Sequence, residues 1–201
     1  MSVTVFLDKD GTLVEDIPYN VDPDRIRLAP TAARALRLLA DYDCRVVVVS
    51  NQSGVARGYF SESSLAGVRD RLALLCRRVN VEFAGFYYCP HHPDGEVMEL
   101  AIECDCRKPA DGLIRQAALD LGVALEETWM VGDILDDVEA GNRAGCRTIL
   151  IDNDNETEWR LSARRWPTVV VRSLEDAARV ITEDIVARSA RRSRSPRRSV
   201  A

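Results

Sequence analysis

Residues 3–12 read VTVFLDKDGT, five apolar or β-branched residues running straight into Asp8, Lys9, Asp10 and Gly11. A short apolar run without alternation is the pattern of a strand covered on both faces. The same form recurs at Arg45–Ser50, Gly85–Cys89, Trp129–Gly132, Thr148–Ile151 and Thr168–Val171. Between these runs, apolar residues return at helical spacing over Thr31–Tyr42, Ser61–Val79, Ala110–Leu121, Asp136–Ala144 and Leu174–Arg188. Leu65, Val68, Leu72 and Leu75 form one such stripe. Gly122 and Gly145 stand where a helix end favours a left-handed residue. Strands alternating with helices require crossover connections, so the chain reads as an α/β, Rossmann-like, doubly wound parallel sheet with helices on both faces. In that architecture ligands bind beyond the carboxyl ends of the strands, and the residues just after each strand carry the chemistry.

Four strand ends are informative. Asp8 and Asp10, one residue apart at the end of a buried strand, are costly without a positive partner, and a hard cation such as Mg²⁺ suits their oxygens. Gly11 lets the chain turn away sharply; Asp10-Gly11 also reads as a plain turn dipeptide. Ser50-Asn51-Gln52-Ser53-Gly54 follows the second strand and offers donors to an anion, or simply a polar loop. Lys108, in Arg107-Lys108-Pro109, brings a point charge suited to phosphate or a solvated lysine, and Pro109 fits the first turn of the following helix. Gly132-Asp133 ends the fourth strand and adds a third possible metal ligand, with Asp136 expected to cap the next helix.

Between the third strand and Lys108 lie Cys89, His91, His92, Cys104 and Cys106. A disulfide framework is a poor reading, because Cys104 and Cys106 are too close in sequence to pair without strain. Cys89-x-His91 and Cys104-x-Cys106 supply four soft or borderline ligands, as tetrahedral Zn²⁺ requires, with His92 an alternative to His91. Cys44, Cys76 and Cys146 sit among apolar residues and read as small buried hydrophobes.

The 201 residues suit one domain, and 46% hydrophobic with 29% charged residues is a soluble globular composition. No stretch is apolar for long enough to cross a membrane, and the start lacks a basic signal region, so a cytoplasmic protein with reduced thiols is expected. The net charge is −5, but residues 188–201 (RSARRSRSPRRSVA) hold six arginines and no acid, which leaves −11 on residues 1–187. Those 187 residues form the expected domain, a poor nonspecific binder of nucleic acid. The basic tail is expected to be disordered and is the one segment suited to an acidic or RNA partner.

Asp8-x-Asp10-Gly-Thr, Ser50-Asn51, Lys108-Pro109 and Gly132-Asp133-x-x-x-Asp137, in that order and each at a strand terminus, resemble the motif set of the haloacid dehalogenase-like (HAD-like) phosphohydrolases. The likeness runs from Val3 to about Ile151. It implies Asp8 as nucleophile forming an aspartyl-phosphate and Asp10 as general acid and base. It further implies Mg²⁺ held by Asp8, the Asp10 carbonyl and Asp133, and phosphoryl oxygens gripped by Ser50, Asn51 and Lys108. VVVSNQSGVARGYF (47–60), YYCPHHP (87–93) and the C-x-H…C-x-C loop running into Arg107-Lys108-Pro109 resemble the D-glycero-D-manno-heptose 1,7-bisphosphate phosphatases and the related histidinol phosphatases. That resemblance implies a structural zinc on Cys89, His91, Cys104 and Cys106, a loop-built entrance without a large cap domain, and Arg57 and Arg107 reading the rest of a sugar phosphate.

Two features depart from the pattern. Ile134 stands where heptose phosphatases commonly carry lysine, and Asp152–Trp159 (DNDNETEW) falls outside the resemblance. The expected activity is removal of the C7 phosphate of a heptose bisphosphate by a monomer. The alternatives are histidinol-phosphate or nucleic-acid 3′-phosphate hydrolysis and, in another class, a non-catalytic zinc-braced protein binding RNA through its tail.

Overall fold

The computed structural model describes residues 3–194. Six strands, β1 (Thr4–Leu7), β2 (Arg45–Asn51), β3 (Glu82–Cys89), β4 (Trp129–Gly132), β5 (Arg147–Ile151) and β6 (Val169–Val171), form one sheet in the order β3-β2-β1-β4-β5-β6. Every pairing is parallel. All six apolar runs are strands, with ends moved by up to three residues.

The side chains of β1 show why the sheet needs two covers. Val5 and Leu7 enter one core with α1 (Ala32–Ala40), α2 (Leu65–Arg77) and α5 (Leu174–Arg194), whereas Phe6 enters a second core with α3 (Gly112–Leu121) and α4 (Leu135–Ala144). Each of these three β1 residues is fully buried. At about 25 cal/mol per Å² of apolar surface, a side chain such as Phe6 contributes roughly 1.5–3 kcal/mol. Gly122 and Gly145 end α3 and α4 in the left-handed conformation, as their positions require.

Strand order reverses at β1. The crossovers through α1 and α2 build the sheet outward on one side, and those through α3 and α4 build it on the other. The crevice between the carboxyl ends of β1 and β4 is therefore the topological switch point, where such sheets bind ligands. Register carries the point to single residues: Leu7 pairs with Val131, and the Asp8 amide donates to the Val131 carbonyl at 2.9 Å. Asp8 and Asp133 leave adjacent strands at the same level.

Three local expectations need correction. Pro109 lies outside the first turn of α3, which begins at Gly112; the Lys108–Pro109 peptide is cis. Asp136 does not cap α4: Ile134 holds that position, and Asp136 is inside the first turn, paired with Arg165. The tail boundary at 187 falls within a helix, because α5 continues to Arg194; the rest of the tail, 195–201, lies outside the described residues. Among the described residues no helix is long and apolar enough to cross a membrane.

Candidate active site

Lys108 is the centre of the site. It is 2% exposed, and its Nζ donates to an Asp8 carboxylate oxygen and to the Val49 carbonyl (3.0 Å) and pairs with Asp137 Oδ1 at 2.6 Å. Burial pulls its proton affinity down, but the carboxylates of Asp137 and Asp8 outweigh it and hold the ammonium charged well above the ordinary lysine range. Asn51 fixes the backbone that carries this lysine: its Nδ2 donates to the Lys108 carbonyl and its Oδ1 accepts from the Lys108 amide, both at 3.0 Å. The Asn51 side chain, expected on the phosphate, is therefore committed to the Lys108 peptide. Ser50, 2% exposed, accepts from Gln52 Nε2 at 2.8 Å and lines the same cavity as Asp8, Lys108 and Asp133. That cavity measures about 260 Å³.

Asp133 is held from both sides. Thr12 Oγ1 donates to its Oδ1 at 3.0 Å and Asn155 Nδ2 to its Oδ2 at 2.6 Å. Burial and the neighbouring Asp8 charge nevertheless push its carboxyl up to about 6. Gly11 makes this packing possible: at φ +75° it takes the left-handed form, and a Cβ there would lie 2.1 Å from Asp133 Oδ2. Gly132 does the same for Asp137, whose Oδ2 would be 2.2 Å from an added Cβ. Asp10 is half-buried and pairs with the buried Lys9 at 2.5 Å. Its carboxyl lies above the usual range because burial, reinforced by Asp8, exceeds the opposing pull of Lys9.

Carboxylate oxygens of Asp8, Asp133 and Asp137 all lie within 4.8 Å of one another. Burial and mutual repulsion push the Asp137 carboxyl up to about 8 and that of Asp133 to about 6, a cost of ionising crowded carboxylates that a divalent cation on oxygen ligands would offset. The donor set fits Mg²⁺ at Asp8 and Asp133, since Asp137 is engaged by Lys108.

The cysteine cluster forms a second, separate group. The Cys89, Cys104 and Cys106 Sγ atoms lie 3.2–3.5 Å apart, and His91 Nδ1 is 3.3 Å from Cys106 and 3.7 Å from Cys89. The sulfurs are too far apart for a disulfide, whose bond is about 2.05 Å. They lie close to the roughly 3.8 Å edge of a tetrahedron with 2.3 Å Zn–S bonds. Burial raises the Cys89 thiol far above the ordinary cysteine range, the cost that a bound cation would offset by stabilising the thiolate. The donors fit Zn²⁺. His92 stays out: its Nε2 faces Arg57 Nη2 at 3.1 Å. Arg107 approaches the same region, with Nη1 3.5 Å from the His91 carbonyl, and both arginines lie outside the lining of the carboxylate cavity. Cys44, Cys76 and Cys146 are buried thiols, pushed up by desolvation to about 11, 12 and 11.

A HAD-hydrolase-like family model matches residues 105–177. The chain is 41% identical over 145 residues to the D-glycero-β-D-manno-heptose-1,7-bisphosphate 7-phosphatase of Haemophilus ducreyi, covering 72% of this chain and 79% of that one. It belongs to the heptose-bisphosphate phosphatase family of HAD-like hydrolases. The Yersinia pestis protein of the same name is 34% identical over 88% of this chain and 94% of its own. A crystal structure of D,D-heptose 1,7-bisphosphate phosphatase from B. bronchiseptica, complexed with magnesium and phosphate, superposes with a TM-score of 0.72 at 28% identity. It covers 90% of this chain and 99% of that one.

Within that family frame, four residues of the site escaped the sequence reading. Asp137 was visible as part of a motif, but nothing in the sequence tied it to Lys108. Asn153, Asn155 and Glu156 come from the segment outside the family resemblance. Asn153 Nδ2 donates to the Gly11 carbonyl at 3.0 Å, Asn155 grips Asp133, and Glu156 Oε2 accepts from the first amide of α4 at 2.6 Å. Asparagines and an acid directly after β5 were the available signal, because that strand lies beside β4.

Proposed function

We propose that this phosphatase removes the C7 phosphate of a D-glycero-D-manno-heptose 1,7-bisphosphate, acting as a cytoplasmic monomer in sugar-phosphate metabolism. The observation that carries the proposal is Lys108 gripping Asp8 beside Asp133 at the switch point.

Asp8 attacks phosphorus in line with the departing sugar oxygen, the P–O bond to the sugar breaks, and Asp10 gives its proton to the alkoxide. The raised Asp10 carboxyl keeps a larger protonated fraction available for that step. Water then attacks the aspartyl-phosphate, Asp10 takes its proton, and inorganic phosphate leaves with Asp8 restored. Lys108 and the Ser50 hydroxyl bind equatorial oxygens of the phosphoryl group, with Asn51 holding Lys108 in place. Mg²⁺ held by Asp8, Asp133 and the Asp10 carbonyl would supply two positive charges where negative charge develops. Zn²⁺ on Cys89, His91, Cys104 and Cys106 would staple the loop that leads directly into Arg107 and Lys108.

Arg57 and Arg107 are assigned to the distal phosphate. Ile134 lines the catalytic cavity, so the residue after Asp133 offers no cation and the two arginines must carry that load. Steady-state kinetics on heptose 1,7-bisphosphate, histidinol phosphate and a 3′-phosphorylated oligonucleotide test the assignment. The heptose bisphosphate should give the highest kcat/KM. Equal efficiency on all three, or no phosphate release at all, refutes it.

A further inference from the structure

Away from the catalytic cavity, α1, α2 and the chain between β1 and α1 line a groove of about 470 Å³ that shares no residue with it. Four of its lining residues are arginines, Arg27, Arg37, Arg71 and Arg78, against a single acid, Glu15. That balance runs against the rest of the chain, since residues 1–187 carry a net charge of −11.

The arginines converge because of where the helices place them. Arg71, Leu75 and Arg78 stand at i, i+4 and i+7 on one face of α2, with Arg78 keeping helical dihedrals just past Arg77. Arg37 joins them from α1. Arg71 Nε and Nη2 both donate to the Ile26 carbonyl at 3.2 Å, and Arg27 Nη1 donates to the Asp24 carbonyl at 2.9 Å. Two of the four are thus anchored by main-chain oxygens that leave their charge unneutralised and further N–H donors available. Among the described residues none of the four is in an ion pair, whereas Arg34 on α1 pairs with Glu175 and Arg69 on α2 with Asp70. Four like charges gathered without counter-charge repel one another, and an anion spanning them removes that repulsion.

The rest of the wall is apolar. Leu75 and Val79 are buried and Leu28 is half-buried. Guanidinium forks match phosphate oxygens two at a time. A single exposed ion pair contributes little, so a lone phosphate gains little here, whereas a ligand that engages several arginines adds their contributions. The volume lies in the range of sites for organic ligands of nucleotide size.

We propose that this groove is a binding site for an organic polyphosphate, with its phosphates on the arginines and its carbon body against Leu28, Leu75 and Val79. The site is separate from the catalytic centre and does not depend on which phosphate ester that centre hydrolyses.

Isothermal titration calorimetry with ADP, inorganic pyrophosphate and inorganic phosphate tests the site, in EDTA so that no divalent ion draws phosphate to the carboxylates. The parent should bind one ADP per chain, at least about fivefold more tightly than pyrophosphate because of the apolar wall, and inorganic phosphate more weakly still. Arg37→Gln and Arg78→Gln keep much of the stem and remove the charge. Each should weaken ADP binding by about fivefold, the upper end for one exposed ion pair, and the double variant by about twenty-fivefold. Arg34→Gln, on α1 but outside the groove, should bind ADP like the parent. Raising NaCl from about 50 to about 200 mM should weaken ADP binding several-fold. Phosphatase rates of all these variants should stay parental, because none of the three arginines lines the catalytic cavity. Should the double variant fail to fold, the two single variants carry the same test. No ADP binding by the parent, or equal affinity for ADP and pyrophosphate, overturns the inference. So does a double variant that binds ADP like the parent while melting at lower temperature, since the arginines would then serve the helix ends alone.

Discussion

Replacing Asp133 by asparagine should stabilise the metal-free protein while abolishing its function. Asp133 is 4% exposed, and its carboxyl is raised from 3.8 to about 6. An acid whose folded value exceeds its unfolded value makes its charged form a cost to folding. That cost is fully present above about pH 6 and is lost as pH falls toward the unfolded value near 4. Between 3.8 and about 6 that cost amounts to roughly 3 kcal/mol, at 1.36 kcal/mol per pH unit. Asparagine removes the charge and keeps an acceptor for Thr12, but Asn155 must turn its amide over to present oxygen. The net gain is therefore set at about 2 kcal/mol. For a chain of this size that raises Tm by about 4–8 °C. Thermal or urea unfolding in EDTA at pH 7.5 measures the gap, which should close almost entirely at pH 4.5, where parent Asp133 takes up its proton and the electrostatic part falls from about 3 to about 1 kcal/mol. Saturating Mg²⁺ should reverse the order, because the parent gains binding free energy that the variant has lost a ligand for. An asparagine variant no more stable than the parent in EDTA, or a gap independent of pH, would show that Asp133 carries no electrostatic strain.

Cys104→Ser should lose the zinc, about one ion per chain by elemental analysis in the parent, and should melt at lower temperature with a smaller change in kcat. A metal-free variant that keeps parental stability and activity removes the brace. Asn51→Ala deletes both hydrogen bonds on the Lys108 peptide, each worth about 1 kcal/mol, and should lower kcat by about tenfold. Unchanged kcat there would show that Lys108 needs no such guide.

The sequence made the chemistry legible where it was local. Asp8, Ser50 and Asp133 could be found because a parallel sheet delivers strand ends to one edge, and a strand end is visible as an apolar run meeting a polar residue; Lys108 lies far beyond the end of β3 at Cys89 and was found through its motif alone. Asn155 could not be found that way. It meets Asp133 only because β5 lies beside β4 and its loop folds back across Gly11, a relation that no residue spacing encodes. Asp137 looked like part of an ordinary helix start. Its burial against Lys108 depends on Gly132 having no side chain, which becomes visible once the two backbones are placed. Asn51 was assigned to the ligand because amides after a strand suit anions, whereas tertiary packing gave its amide to a peptide 57 residues away. The α5 boundary failed for a compositional reason: an arginine-rich segment reads as disordered, yet arginine is a good helix former and simply extends the helix already present.

The central claim is that Asp8 carries the phosphoryl group during turnover. Rapid acid quenching of the enzyme with labelled heptose bisphosphate, followed by peptide mapping, tests it directly. The label should appear on the peptide containing Asp8, and Asp8→Asn should show none while losing more than about a thousandfold in kcat. An unlabelled chain at steady state together with a folded Asp8→Asn variant that turns over at the parental rate would contradict the account.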